Sequence, residues 1–289
     1  MNFVTLEFAT FFLFVLVAGW LLRERGGEYR AFLLVCNLFF YALAGMAFVP
    51  LLLAVAVLNW GAVHLMSRFS GQPRKRKGVI ALDVALHVAL LAFFKYYEFL
   101  ILGLESLASA AGLDTGILRH ALPSMEILFP VGLSFYTFQG LSYAIDHYRC
   151  PDEPPRAFLD VLLFVSFFPQ LIQGPINRFG QMKPQFDAEH SFGWEKTKHA
   201  LFLMLFGLLK KYAIADLLSG AVAAILDAPG SDMPGSVIVA GILMYSAQQY
   251  ADFSGGIDIV MGVAELFGIK MMPNFRQPYF SVSLGDFWR

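Results

Sequence analysis

Long apolar runs separated by short polar breaks dominate the chain, and they predict helices sized for a membrane. Residues 3–22 (FVTLEFATFFLFVLVAGWLL) carry one carboxylate, Glu7. About 20 such residues cross the roughly 30 Å hydrocarbon core of a bilayer as a helix. No Lys or Arg precedes this run and RERGGEYR after it offers no small-residue cleavage site, so the pattern predicts a retained first span rather than a signal peptide. Ala31 to Met66 is too long for one span, and Gly45 and Pro50 near its middle predict a helical hairpin. SRFSGQPRKRKG follows, with Arg68, Arg74, Lys75, Arg76 and Lys77, and reads as a cytoplasmic loop under the positive-inside rule, an anionic-lipid site being the functional alternative. The loop holding Arg23, Arg25 and Arg30, two spans earlier, then falls on the same side and the N-terminus outside.

Residues 79–104 predict a further span with Asp83 and His87 inside it and an interfacial FFKYYEFL near its end. MEILFPVGLSFYTFQGLSYAIDHYR reads as a span broken by Pro130 and Gly132, and RCPDEPPR cannot continue a helix. FLDVLLFVSFFPQLIQGPINR stays apolar for only about fourteen residues before Pro169, a length that suits a re-entrant or interfacial segment. From Lys198 to Leu226 the apolar pattern is interrupted by Lys210, Lys211 and Asp216, charges that belong at an interface or a wet cavity. Ser236 to Tyr250 predicts another span. The last stretch, with Asp252, Asp258, Glu265 and several glycines, predicts broken polar backbone lining a cavity. The expectation is an all-α polytopic membrane protein, one transmembrane domain over 1–289 with roughly seven to nine membrane-embedded segments.

Composition strengthens that reading. Of 289 residues, 57% are hydrophobic and 15% charged, against about 25% charged in soluble domains, and 30 Phe and 11 Tyr add to the excess. The net charge of −1 argues against nucleic acid as a partner, since phosphate binding needs clustered exposed cations. Two cysteines, Cys36 in an apolar run and Cys150 beside the Pro-rich loop, exclude a disulfide framework.

The motifs of soluble enzymes do not occur: no GxSxG elbow, P-loop or GxGxxG is present, and the glycine pair of SGGID is too short to cradle phosphates. Six histidines, at 64, 87, 120, 147, 190 and 199, show no metal-ligand spacing, so no metal site is expected. His64 and His87 lie in apolar segments and read as neutral imidazoles bonded between helices, with a functional site as the alternative. His120, His147, His190 and His199 fall in loops or at span ends. Cys36 lacks a basic neighbour that would activate it as a nucleophile, and Cys150, beside Arg149, is a lipidation candidate. Three polar stretches remain within apolar surroundings: 168–186, 206–218, and 248 to the end. Buried polar groups need partners or water, and one shared intramembrane cavity would satisfy all three.

Those stretches carry a resemblance. FPVGLSFYTFQGLSYAIDHYR (129–149), FFPQLIQGPINRFGQMKPQF (167–186), FGLLKKYAIADLLS (206–219) and QQYADFSGGIDIVMGVAELFGIKMMPNFRQPYFSVSLGDFWR (248–289) resemble, in order, the membrane-bound O-acyltransferase (MBOAT) family in the branch of bacterial alginate O-acetyltransferases and teichoic acid D-alanyl transferases. The likeness runs from about Phe93 to the end. It implies a funnel of helices in the bacterial cytoplasmic (inner) membrane that moves an acyl group to a hydroxyl of an exported polysaccharide, teichoic acid or other envelope polymer. The implied co-substrate is a cytoplasmic-side acyl donor, acetyl-CoA or an acyl carrier protein, with no bound cofactor and with an extracytoplasmic acyl-handling partner protein. In the family, DFWR leads into R-W-H-I-S, whose histidine serves acyl transfer, and a second histidine lies in a later helix. The resemblance therefore places catalysis after Arg289 and on none of the six histidines here. The chain reads as a fragment or truncated frame, inactive as given, with a non-catalytic transporter or binding subunit as the alternative. Asp286, Trp288 and Arg289 would adjoin that histidine. Gln249, Tyr250, Asp252, Ser254 and Asn274 are the cavity candidates, and Arg178, Lys210 and Lys211 the candidates for an anionic donor.

Overall fold

A computed structural model describes residues 5–112, 130–188, 192–227 and 233–288. His120, His190, Arg289 and the MEILF run at 125–129 lie outside the described residues. The described chain is all-α and divides into two compact units, one made of residues 1–40 and 167–289, the other of residues 41–166.

In the unit 41–166 the helices are the end of α2 (Gly26–Ala44), α3 (Val49–Arg68), α4 (Pro73–Ala110), α5 (Leu133–Arg149) and α6 (Phe158–Ser166). The hairpin turns at Gly45, as expected, while Pro50 sits in the first turn of α3, where its fixed φ suits a helix start. Among the described residues two helices are long and apolar enough to cross a membrane: Met46–Arg68, with 23 residues, and Pro73–Ala110, with 38. The basic cluster expected in a loop is instead helical, since Arg74 to Lys77 form the first turns of α4. Pro73 opens that helix, and Lys and Arg are good helix formers, so nothing local stops it. Arg76 turns inward, and its Nη2 donates to the carbonyl of Tyr148 at 2.9 Å, satisfying a terminal acceptor of α5. Gly132, at φ 75°, allows the left-handed step from Pro130 into α5.

One face of α3, Leu52, Val55, Ala56, Asn59, Val63 and Met66, is fully buried at the i, i+3, i+4, i+7 spacing of a helix. Gly140 on α5 makes room for Asn59, because a Cβ added there would lie 2.3 Å from Asn59 Nδ2. Gly140→Ala is therefore expected to destabilise this unit by about 1–3 kcal/mol through overpacking. The measurement is the thermal midpoint in nanodiscs, with Gly103→Ala as a control on open space; equal midpoints for the two variants would refute the clash.

The other unit contains α1 (Leu6–Leu22), the start of α2, α7 (Phe168–Leu171), α8 (Phe179–Asp187), α9 (Trp194–Leu209), a π-helical turn (Lys210–Asp216), α10 (Leu217–Leu226), α11 (Gly235–Leu266) and α12 (Leu284–Phe287). α1 has 17 residues and is apolar apart from Glu7 and Thr10. Phe8, Phe11, Phe40, Phe168 and Phe267 form an aromatic core, with Phe11 and Phe168 edge to face at 5.4 Å. α7 is buried along its whole length, so this short segment lies among protein groups.

The C-terminal segment departs from expectation. α11 runs without a break from Gly235 through the glycine-rich stretch to Leu266, and irregular backbone begins only at Phe267. The glycines are packing surfaces here. A Cβ on Gly207 of α9 would sit 2.5 Å from the Gly255 carbonyl, and one on Gly262 would sit 2.6 Å from the Ala200 carbonyl, so the two helices meet backbone to backbone. Many large apolar side chains face outward in both units, Phe202 and Leu243 in one and Phe99 in the other at 67–72% exposure, and such area demands an apolar surrounding.

Candidate functional site

In the unit 1–40 plus 167–289, α11 uses two faces. At about 100° per residue, Ile242, Ser246, Gln249, Tyr250 and Phe253 fall on one side, while Gly255, Ile259 and Gly262 fall on the side packed on α9. The first side, together with Asn274, Phe275, Pro278, Tyr279, Phe287 and Trp288 from the irregular C-terminal stretch, encloses an open cavity of about 710 Å³. Its walls are mostly aromatic. Tyr250 lies edge to face with Phe275 at 5.5 Å and with Tyr279 at 5.3 Å. Tyr279 Oη donates to the Ser246 carbonyl at 2.8 Å and so accepts from Ser246 Oγ at 2.6 Å. Gln249 and Asn274 supply amides that can both donate and accept.

The irregular stretch is held in place by side chains from the QLIQGPIN region. Asn177 is buried; its Nδ2 donates to Gln170 Oε1 at 2.8 Å and to the Pro175 carbonyl at 3.1 Å, and its Oδ1 accepts from Met272 N at 2.9 Å. Gln185 forms a paired contact with Lys270, accepting from its N at 2.7 Å and donating to its carbonyl at 3.1 Å. These bonds position Asn274 and Phe275 a few residues further on.

Of the residues singled out in the sequence, Gln249, Tyr250, Asn274 and Trp288 lie on this cavity. Asp252 and Ser254 do not line it, because an unbroken helix turns them to other faces. Asp252 pairs with Lys211, and Ser254 is buried with its Oγ unbonded. Lys210 pairs with Asp258 at 2.6 Å and sits 4.5 Å above the Phe206 ring. Both lysines proposed for an anionic donor thus have carboxylate partners, which neutralise their charge locally. Arg178 is exposed at the N-cap of α8. Asp286 caps α12: its carboxylate accepts from Val282 N at 3.2 Å while Ser283 Oγ accepts from Asp286 N at 3.1 Å.

Gln170, Asn177, Ser246 and Tyr279 were not singled out in the sequence. Their signal there was polarity inside an apolar stretch, which marks burial with a partner without saying which partner. His199 bonds Glu265 at 2.7 Å, well away from the cavity lining. Among the described residues no set of three His, Cys, Asp or Glu comes together to hold a metal ion.

No family model matches the chain. It is 34% identical over 279 residues to a probable alginate O-acetylase of Pseudomonas putida, covering 96% of this chain and 56% of that protein. It is 31% identical over 288 residues to a peptidoglycan O-acetyltransferase of Helicobacter pylori, covering 90% of this chain and 52% of the relative. A teichoic acid D-alanyltransferase of Bacillus subtilis is 26% identical over 175 residues, 57% of this chain and 42% of that protein. The chain spans about half the length of the curated relatives it matches.

Proposed function

We propose that this chain, 34% identical over 96% of its length to a probable alginate O-acetylase and 26% identical over 57% of it to a teichoic acid D-alanyltransferase, is a membrane-bound O-acyltransferase of that branch and serves transfer of an acyl group to hydroxyls of an exported polysaccharide or cell-envelope polymer. The donor in this reading is acetyl-CoA or an acyl carrier protein reached from the cytoplasmic side. The setting is the bacterial inner membrane, crossed or entered by seven to nine segments, with an extracytoplasmic acyl-handling partner. The carrying observation is the 34% identity to an alginate O-acetylase across 96% of the chain.

The cavity suits one part of that task. Aromatic walls offer an acyl group apolar contact, and the Gln249 and Asn274 amides can orient a carbonyl or a sugar hydroxyl. Gln249 and Asn274 take that role here, with the Ser246–Tyr279 pair as the hydroxyl side of the wall. Proton abstraction from the acceptor hydroxyl calls for a base such as imidazole. No described histidine lines the cavity, so these residues bind and orient, and proton transfer falls to a group outside them.

The test compares bacterial membranes carrying the natural gene product with membranes from a gene deletion, after incubation with radiolabelled acetyl-CoA, by counting label bound to envelope polymer. Gene-dependent label is the expected result, and Gln249→Leu or Asn274→Leu should reduce it about 10-fold or more, as misplacement of reacting groups does. Unchanged polymer labelling in the deletion, or solute flux in proteoliposomes that needs no acyl donor, would overturn the reading in favour of a transporter or binding subunit.

A further inference from the structure

Three polar side chains inside the unit 41–166 play no part in the cavity: Asn59 of α3 and Asp83 and His87 of α4, each no more than 3% exposed. Their hydrogen bonds determine where the protons lie. Asn59 is 2.8 Å from the Val55 carbonyl, which can only accept, so the atom facing it is the amide nitrogen, Nδ2. That same Nδ2 lies 3.0 Å from His87 Nε2 and donates to it, so Nε2 carries no proton. At the other side of the ring, Nδ1 lies 2.7 Å from the Asp83 carbonyl, again an acceptor only, so Nδ1 carries the proton. His87 is therefore the neutral tautomer, held so from both ends.

Among the described residues Asp83 is then left without a cation. Its Oδ1 is 3.4 Å from His87 Nδ1, and its Oδ2 has no hydrogen-bond partner. Four ionisable groups on the packed helices have other partners: His64 bonds the Trp60 carbonyl, Tyr136 bonds Tyr41, His147 contacts Ser67, and Arg76 bonds the Tyr148 carbonyl. An ionised carboxylate buried among apolar helices with no counter-charge costs far more than taking up a proton. The orphan atoms agree: Asp83 Oδ2 and Asn59 Oδ1 are both acceptors, so what the cluster lacks is a donor.

We infer that Asp83 is a buried proton-binding site, a neutral carboxylic acid at the head of an acid, imidazole and amide chain that ties α4 to α3. The inference does not depend on the acyl-transfer reading.

Infrared difference spectra of the full chain in nanodiscs at neutral pH, wild type against Asp83→Asn, provide the test. The expected result is a protonated-carboxyl carbonyl band lost in the variant and indifferent to replacing sodium by choline. Asp83→Asn, the neutral isostere, should keep the wild-type thermal midpoint while Asp83→Ala lowers it. Loss of a carboxylate band instead, a band that appears only without sodium, or an Asp83→Asn midpoint as low as that of Asp83→Ala would each overturn the site. If Asp83→Asn does not fold, nitrogen NMR of His87 in the wild-type chain decides. A ring protonated only at Nδ1 is expected, and a doubly protonated ring would mean that Asp83 is ionised and paired.

Discussion

Gly207→Ala is expected to lower the stability of the unit that carries the cavity by about 1–3 kcal/mol, toward the upper end of what overpacking costs. The added methyl would meet the Gly255 carbonyl at 2.5 Å, Ile259 N at 2.9 Å and the Ile259 side chain at 2.8 Å. Two of these atoms are backbone, which has no rotamer to change, so α9 and α11 must separate. Separation also lengthens the Lys210–Asp258 and Lys211–Asp252 pairs that follow directly on α9. The comparison variant is Gly220→Ala on α10, where a Cβ meets nothing within 4 Å. There the loss of helix-interior glycine should be neutral or stabilising by up to about 1 kcal/mol. Thermal midpoints of the two variants in nanodiscs make the measurement. Should Gly207→Ala melt no lower than Gly220→Ala, the backbone contact between α9 and α11 is wrong.

Asn177→Ala should cost about 2–3 kcal/mol and loosen the cavity wall before it unfolds the unit. Truncation removes the donor that buried Gln170 Oε1 accepts from and the acceptor for Met272 N, and losing a buried hydrogen bond costs roughly 1–3 kcal/mol. Another tie of the irregular stretch, Gln185 to Lys270, lies two residues before Met272. Hydrogen exchange should therefore rise at residues 271–276 while α9 and α11 keep their protection. Asn177→Asp separates the two roles of the amide: it retains an acceptor for Met272 N but sets oxygen against Gln170 Oε1 and the Pro175 carbonyl. It should fare no better than alanine. Wild-type exchange rates at 271–276 in Asn177→Ala would show that the bond to Met272 does not hold the wall.

The difference between those two sites and the sequence reading lies in what a glycine or an amide means without its neighbour. The stretch with Asp252, Asp258, Glu265 and its glycines predicts broken backbone, yet here the helical cost of glycine is offset by a close helix crossing at Gly207, Gly255 and Gly262. Asn177 is visible in the sequence as a polar residue in an apolar run, but partners of it come from positions 170, 175 and 272. Lys210 and Lys211 looked available to an anionic donor because Asp252 and Asp258 are more than forty residues away along the chain.

What the amino-acid order determined alone is local. Apolar length predicts helices where α1, α3 and α4 stand, Gly45 and Pro50 locate the hairpin, and the break read at Pro130 and Gly132 falls immediately before α5. These follow from backbone chemistry within a few residues: proline lacks a donor, glycine admits positive φ, and the bilayer sets a length. The tertiary structure decided the rest. It continued α11 through its glycines, turned Gln249 and Tyr250 to the cavity and Asp252 and Ser254 away from it, paired each lysine with a carboxylate, and fixed the tautomer of His87 between α3 and α4. Each of these depends on which helix faces which, and a buried polar or small residue acquires its role from the partner set against it across the packing.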